Sequence, residues 1–509
     1  MRIARRTSGC RAHRPVQGRP EAGYTPLLRG VGSPGCQSLG IGGSAPLHEL
    51  PTGPFVPVPT ATSTVSLVHL GCARNLIDSE LILGRLGEEG LVVSGDPEFA
   101  DAVVLNTCSF IGPARDESHA VLEGLLDRKR AGDLKRVVVA GCLVQRSRRA
   151  LAEQYPEVDL FAEISNYREL ARSVRRLLDG ETLSTNYLDS PGLRPPEREG
   201  ARMLSTPGSY AYLRISHGCD HTCSFCAIPG IRGKHRSKPL AAVLDEGREL
   251  IDRGVKELVL VAEDSTAWGR DQGQELPELV EGLADLEGPH RLRLMYAYPN
   301  RFPWRLTELL RDHPRVIPYL DIPIQHAATP VLRAMRRAGD GDQVRRTLAR
   351  LHEEVPGLTL RTTVLLGFPG ETEADVDELE ALVREFRLAR MGAFSYSVEE
   401  GTPAAELDPQ AHPAAPQEVV EARISRVLTL RDAHLAQDQE AQVGSTLEVL
   451  VDEGPDSEGW ARGRSDQDAP EVDLAVQFMA PGASVGDRVQ VKIEGVMESL
   501  DLSGVGVPS

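Results

Sequence analysis

The 509-residue chain has no apolar run approaching the roughly eighteen residues of a membrane span, so no transmembrane segment and no membrane partner are expected. Cysteine is scarce, with eight residues at positions 10, 36, 72, 108, 142, 219, 223 and 226. They are too few for the disulfide framework of a small secreted protein, and they point to a reducing, cytoplasmic setting and to metal binding. A basic excess is also missing. The formal net charge of −17 argues against a protein that simply coats nucleic acid. What remains is ordinary globular composition, 41% hydrophobic and 26% charged, in a chain long enough for about two to four domains.

Residues 1–63 lack structural signals most. They hold seven Arg, no Lys, two Glu, ten Gly and nine Pro, without helical or strand periodicity. Such a segment buries too little apolar surface to offset its ordering entropy and is expected to be a disordered extension. A transit peptide is the lesser reading, because the amphipathic pattern expected of one is absent. No methionine occurs between Met1 and Met203, so a misassigned start would require a non-AUG codon near Val56 or Val65. Cys10 and Cys36 are read as incidental.

The densest chemistry lies in Cys219-Asp220-His221-Thr222-Cys223-Ser224-Phe225-Cys226. A closed zinc site wants four ligands, usually as two close pairs, and no fourth cysteine is near. A zinc site completed by His217 or His221 is the alternative, although His221 sits inside the loop, where it would strain a tetrahedron. Three thiolates on an iron–sulfur cluster leave one iron open, which suits this spacing. The C-x3-C-x2-C pattern, with Phe225 before the last cysteine, resembles the signature of radical S-adenosylmethionine (SAM) enzymes. The resemblance implies a 4Fe-4S cluster on Cys219, Cys223 and Cys226 whose open iron chelates SAM, with Phe225 against the cofactor.

Upstream, residues 64–185 read as a small parallel α/β domain. Strands at Val65–Leu70, Ala102–Leu105 and Arg136–Ala140 are each followed by a loop and a helix. Cys72, Cys108 and Cys142 follow these strands, at the carboxyl edge where such sheets bind ligands. Each alone is more readily a buried small hydrophobe; together they are read as a second three-thiolate site. Gly71-Cys72-Ala73-Arg74-Asn75, Asp78-Ser79-Glu80, Asn106-Thr107-Cys108 and Gly141-Cys142 resemble the N-terminal domain of the methylthiotransferases. There the second set holds an auxiliary 4Fe-4S cluster that carries sulfur.

After a Pro- and charge-rich linker at about 186–204, residues 205–435 alternate strand and helix. The strand candidates are 211–215, 257–261, 292–296, 317–322, 358–366 and 393–396. Six strands cannot close an eight-stranded barrel, so an open six-stranded partial barrel is expected, an architecture that radical SAM enzymes resemble. Glu263 and Asp264 follow the second strand, where the resemblance places the SAM amino group; an acidic helix cap is the equal alternative. The turn Gly367-Phe368-Pro369-Gly370 would let backbone approach a ligand, a weak signal shared with any strand–helix turn.

Residues 440–505 read as a small β-barrel that resembles the OB-like TRAM domain. Residues 441–509 carry thirteen Asp/Glu against four Lys/Arg, so direct RNA binding through this domain is disfavoured and a basic protein partner is favoured. The stretches Leu70–Asp78, Tyr396–Thr402, Gly463–Ser465 and Asp468–Asp473 are similar to the branch of the family that modifies a ribosomal protein, with Ala73 and Arg74 in place of Pro and Lys. That branch implies transfer of methylthio to the β-carbon of an aspartate in small-subunit ribosomal protein twelve. It would use two SAM per turnover, a sulfur donor, and an electron donor such as flavodoxin or ferredoxin. A tRNA adenosine methylthiotransferase and a non-catalytic iron–sulfur protein that binds ribosomes are the alternatives.

Overall fold

The computed structural model describes residues 63–164, 166–190, 202–337 and 339–507. The extension expected over 1–63 lies outside the described residues except for Ser63, as do residues 191–201 of the expected linker.

The first layer is a parallel sheet of β1 (Thr64–His69), β2 (Val92–Val93), β3 (Ala102–Thr107), β4 (Arg136–Gly141), β5 (Leu160–Ala162) and β6 (Tyr187–Leu188), in the order β2-β1-β3-β4-β5-β6. Every residue of β3 is buried, and burial on both faces is why this strand reads as an apolar run without alternation. The three expected strands are present. The structure adds β2, β5 and β6, each two or three residues long and too short for a periodicity to show. Helices α1 (Ala73–Glu88), α2 (Gly112–Ala131) and α3 (Cys142–Ser147) follow β1, β3 and β4.

The second layer contains β7 (Tyr210–Arg214), β8 (Ser216–His217), β9 (Arg236–Ser237), β10 (Glu257–Val261), β11 (Arg291–Leu294), β12 (Val316–Asp321), β13 (Thr359–Leu366) and β14 (Arg390–Ser395). Six of these form an open parallel sheet in the order β7-β10-β11-β12-β13-β14, the expected partial barrel. β8 and β9 form a separate antiparallel pair that closes the base of the Cys219–Cys226 loop. One apolar cluster runs from Leu76 and Ile77 of α1 through Tyr212, Val259 and Tyr319 of the barrel to Ala469 near the C-terminus. The N-terminal domain and the barrel therefore share a core.

A 24-residue helix, Gln417–Glu440, leads into the third unit. Here β15 (Thr446–Glu453), β16 (Trp460–Arg464), β17 (Val476–Met479), β18 (Arg488–Val496) and β19 (Leu502–Gly506) close a five-stranded barrel around Val449, Val451, Phe478, Val491 and Ile493.

The acidic residues of this barrel need a correction, because composition does not say which charges face inward. Glu471 accepts from the Tyr210 and Tyr212 hydroxyls at 3.0 Å each, and Asp473 accepts from Tyr319 at 2.6 Å. Asp468 pairs with Arg390 at 2.9 Å, Asp466 with Arg291 at 2.6 Å, and Asp452 accepts from Ser209 at 2.6 Å. Five acids are thus spent on a seam with the amino ends and interior of the partial barrel, and the stretch Asp468–Asp473 is the plug. Arg464 is drawn into the same seam beside Glu257. Among the described residues, no helix is long and apolar enough to cross a membrane.

Candidate active site

Cys72, Cys108 and Cys142 end at one place because β1, β3 and β4 are adjacent and parallel. A Cβ on Gly71 would lie 2.9 Å from Cys108 Cβ and 3.1 Å from its Sγ. That contact measures how closely the first loop approaches the second, and the positive φ of +106° at Gly71 suits glycine. All six described cysteines are free thiols. Burial pushes the Cys108 thiol up to about 12, helped by the neighbouring charges of Cys72 and Cys142. Burial also pushes Cys142 up, against the opposing Arg232 guanidinium. At Cys72 burial acts the same way, but Arg74 and Arg232 outweigh it and hold the thiol below its ordinary value.

The second set sits in the loop after β7, whose base β8 and β9 clamp. Gly218, with φ +73°, precedes Cys219, and a Cβ there would fall 2.2 Å from the Lys234 carbonyl oxygen. The loop can close only with glycine at that position. Burial pushes Cys219 up to about 12, with Asp264, Cys226 and Cys223 adding, and Cys226 up to about 11, with Cys223 adding. Arg337 Nη1 donates to Cys223 Sγ at 3.6 Å. Among the described residues, no three His, Cys, Asp or Glu side chains converge to hold a single metal ion. Two triads of buried or half-buried thiols, whose thiolate forms would repel one another and which have cationic donors beside them, fit a multi-iron cluster, whose positive core would relieve that repulsion.

The two sets are neighbours. Cys142 packs with Ile164, Ile231 and Ala227, the residue after Cys226. Arg232 Nη2 donates to Cys142 Sγ at 3.4 Å and to Asp78 at 3.0 Å. Arg74 acts on the charge of both Cys72 and Cys226, and its guanidinium lies 3.7 Å from Glu263.

The acidic pair after β10 divides. The Glu263 side chain is 2% exposed, lies 3.9 Å from Arg232, and neither of its oxygens has a hydrogen-bond partner. A buried carboxylate lacking donors fits a ligand ammonium group. Asp264 already has its partners. It caps the short turn Ser265–Ala267 by accepting from Thr266, and it takes His221 Nε2 at 2.7 Å. Burial pushes the Asp264 carboxyl up, but these donors win and hold it below its ordinary value. His221 in turn stacks on Tyr298 at 3.7 Å between ring centroids. Phe225 packs on the apolar cluster of Ala328, Val331, Met335 and Phe368 and wedges the loop against the barrel. At Gly367 a Cβ would meet Val420 at 2.6 Å, and the Gly367 N–H donates to Glu371. This turn serves helix packing.

Sequence reasoning missed Arg232, Arg337 and Tyr298 as parts of the site, since their contacts to Cys142, Cys223 and His221 span 90, 114 and 77 residues. It quoted Arg74 only as part of a motif. Glu399, noted from sequence as one of two glutamates, is an interdomain latch. It takes Arg115, Arg146 at 2.8 Å, the Gly112 N–H at 2.9 Å and Ser397 at 2.8 Å.

Three family models match the chain: Uncharacterized protein family UPF0004 over 64–163, the radical SAM superfamily over 213–383, and the TRAM domain over 443–507. The chain is 40% identical to ribosomal protein uS12 methylthiotransferase RimO of Desulforamulus reducens over 87% of this chain and 99% of that protein. It is 39% identical to the protein of the same name from Geotalea uraniireducens, over 87% and 98%. Among solved structures, the radical SAM methyltransferase TsrM of Kitasatospora setae, with cobalamin and a [4Fe-4S] cluster bound, aligns with a TM-score of 0.50 at 15% identity. That alignment covers 68% of this chain and 74% of that one, and it speaks to the fold alone.

Proposed function

The chain belongs to the RimO family of ribosomal protein uS12 methylthiotransferases, and from that premise we propose how its residues serve the transfer. It is a radical SAM transferase acting on uS12, with SAM and an iron–sulfur cluster as cofactors. The finer assignment is that Cys219, Cys223 and Cys226 hold one 4Fe-4S cluster, while Cys72, Cys108 and Cys142 hold a second that carries the sulfur. The acceptor is the β-carbon of a uS12 aspartate. One SAM is the radical source and another the methyl source, and a sulfur donor and an electron donor such as flavodoxin or ferredoxin complete the reaction. Cys219, Cys223 and Cys226 would hold the cluster, which would supply one-electron reductive cleavage of SAM, the chemistry needed to reach an unactivated carbon.

The chain's own work is placement. Gly218 and the β8–β9 clamp set the loop, and Phe225 seats it on the barrel. Glu263 accepts the SAM ammonium, while Asp264 holds His221 against Tyr298. The shared core and the Glu399 latch keep the sulfur-bearing cysteines over the carboxyl end of the barrel.

The observation that carries this assignment is the packing of Cys142 against Ala227 and Ile231, the first of which directly follows Cys226. Anaerobic reconstitution followed by iron and sulfide analysis tests it. The intact chain should bind roughly eight iron in two clusters. The triple variant C72A/C108A/C142A should keep about half of that and still cleave SAM, whereas C219A/C223A/C226A should keep about half and cleave none. Full iron retention in the first variant would overturn the assignment of the second cluster.

A further inference from the structure

Arg232 belongs to the barrel domain yet reaches a sulfur of the other domain. It ends the short helix Ile228–Arg232, which begins one residue after Ala227 and so two after Cys226. Its side chain is 3% exposed. One terminal nitrogen is shared between Cys142 Sγ at 3.4 Å and Asp78 at 3.0 Å, while Nε lies 3.9 Å from Glu263. The other terminal nitrogen, Nη1, is buried without a partner. Asp78 is itself on α1, so the guanidinium is gripped by the domain it reaches into. The guanidinium also presents Nε toward Glu263, a second donor direction that the single ammonium of lysine lacks. Arg74 donates similarly toward Cys72, but from the same loop as its sulfur. Of the side-chain hydrogen bonds described to these sulfurs, from Arg232 to Cys142, Arg74 to Cys72 and Arg337 to Cys223, the Arg232 bond crosses between domains.

We infer that Arg232 is a positioning residue for the auxiliary cluster: its N–H···S bond to Cys142 raises that cluster's reduction potential, and the rigid step from Cys226 to Arg232 fixes its separation from the SAM-binding site. This rests on the two-cluster assignment above. A cluster gains negative charge on reduction, so a buried cation and an N–H donor on a ligand sulfur favour the reduced form. Because Ala227 and Ile231 also pack on Cys142, movement of the cysteine loop is passed to the auxiliary thiols.

The test is a redox titration, monitored by electron paramagnetic resonance, of the full chain carrying C219A/C223A/C226A, which leaves only the auxiliary cluster. It is repeated with R232Q and R232K added. R232Q should move the midpoint to a more negative value, and R232K, which keeps the charge, should fall between R232Q and the parent. E257Q, which removes a charge at the amino end of the barrel, away from both cysteine sets, should leave the midpoint in place. Circular dichroism checks folding, and R232K carries the test if R232Q does not fold. An unchanged midpoint in both Arg232 variants would overturn the inference, as would an equal shift in E257Q. A parent without iron would overturn the two-cluster assignment and the inference with it, a result that iron analysis distinguishes from a null shift.

Discussion

Replacing Glu399 with Gln should separate radical formation from sulfur delivery. The Glu399 side chain is 2% exposed and takes Arg115 and Arg146 from the N-terminal domain, together with the Gly112 N–H. Hydrogen bonds to a charged group contribute about 1.5–3 kcal/mol each when buried. Arg115 and Arg146 are 25% and 15% exposed, so solvent screening reduces each to about 1 kcal/mol. The amide keeps the size but loses the charge and one acceptor, so the seam should weaken by about 2 kcal/mol. The shared core around Leu76, Ile77 and Tyr212 still holds the domains together, so the fold should survive while the auxiliary cysteines shift. A misplacement on the order of 1 Å can cost about 10²-fold in rate. The assay counts 5′-deoxyadenosine by chromatography and methylthiolated uS12 by mass spectrometry in the same anaerobic reaction. Iron content and 5′-deoxyadenosine should stay near wild type while modified uS12 drops at least tenfold. A parallel fall of both products, or no change in either, would refute the latch role.

Three further expectations follow from the same contacts. Burial would push the Glu257 carboxyl up, but Arg293 and Arg464 hold it down at about 2, against an ordinary value of 4.5. A depressed folded value stabilises above the unfolded one, so on the order of 3 kcal/mol should be present at neutral pH and lost as pH falls from about 4.5 to about 2. Thermal melts of the metal-free chain should show this slope, and E257Q should be less stable at neutral pH and flatter across that window. Gly218→Ala places a Cβ 2.2 Å from a carbonyl oxygen at φ +73°. It should cost at least about 2 kcal/mol locally and lose the iron of the Cys219–Cys226 site while the other half is retained, as read by iron analysis. Tyr319→Phe removes the donor 2.6 Å from buried Asp473 and should lower stability by about 1–2 kcal/mol, measured by denaturant unfolding; an unchanged midpoint would show that the C-terminal plug does not depend on that bond.

What could be read from the sequence was local. The Cys219–Cys226 spacing fits inside one loop, and Cys72, Cys108 and Cys142 each directly follow an apolar strand, so both triads could be found without coordinates. The long strands were legible for the same reason; β2, β5 and β6 were not, because two or three residues carry no period. Arg232 was invisible because its partner Cys142 lies 90 residues away and nothing near Arg232 marks it. The acidic C-terminal domain was readable as a sum but not as a surface. Asp468 and Asp473 answer Arg390, Tyr319 and Arg361 inside the molecule, while Glu471, exposed at the seam, accepts from Tyr210 and Tyr212. What faces solvent is correspondingly less acidic than the count of thirteen against four.

Mass spectrometry of ribosomal proteins and of digested tRNA from cells lacking this gene tests the activity most directly. Protein uS12 should lose an increment of roughly 46 Da, the mass of methylthio replacing hydrogen, on a peptide containing an aspartate, and tRNA methylthio-adenosine should be unchanged. Loss of methylthio-adenosine with uS12 unaltered would contradict the ribosomal substrate, and no change in either would contradict the transferase activity itself.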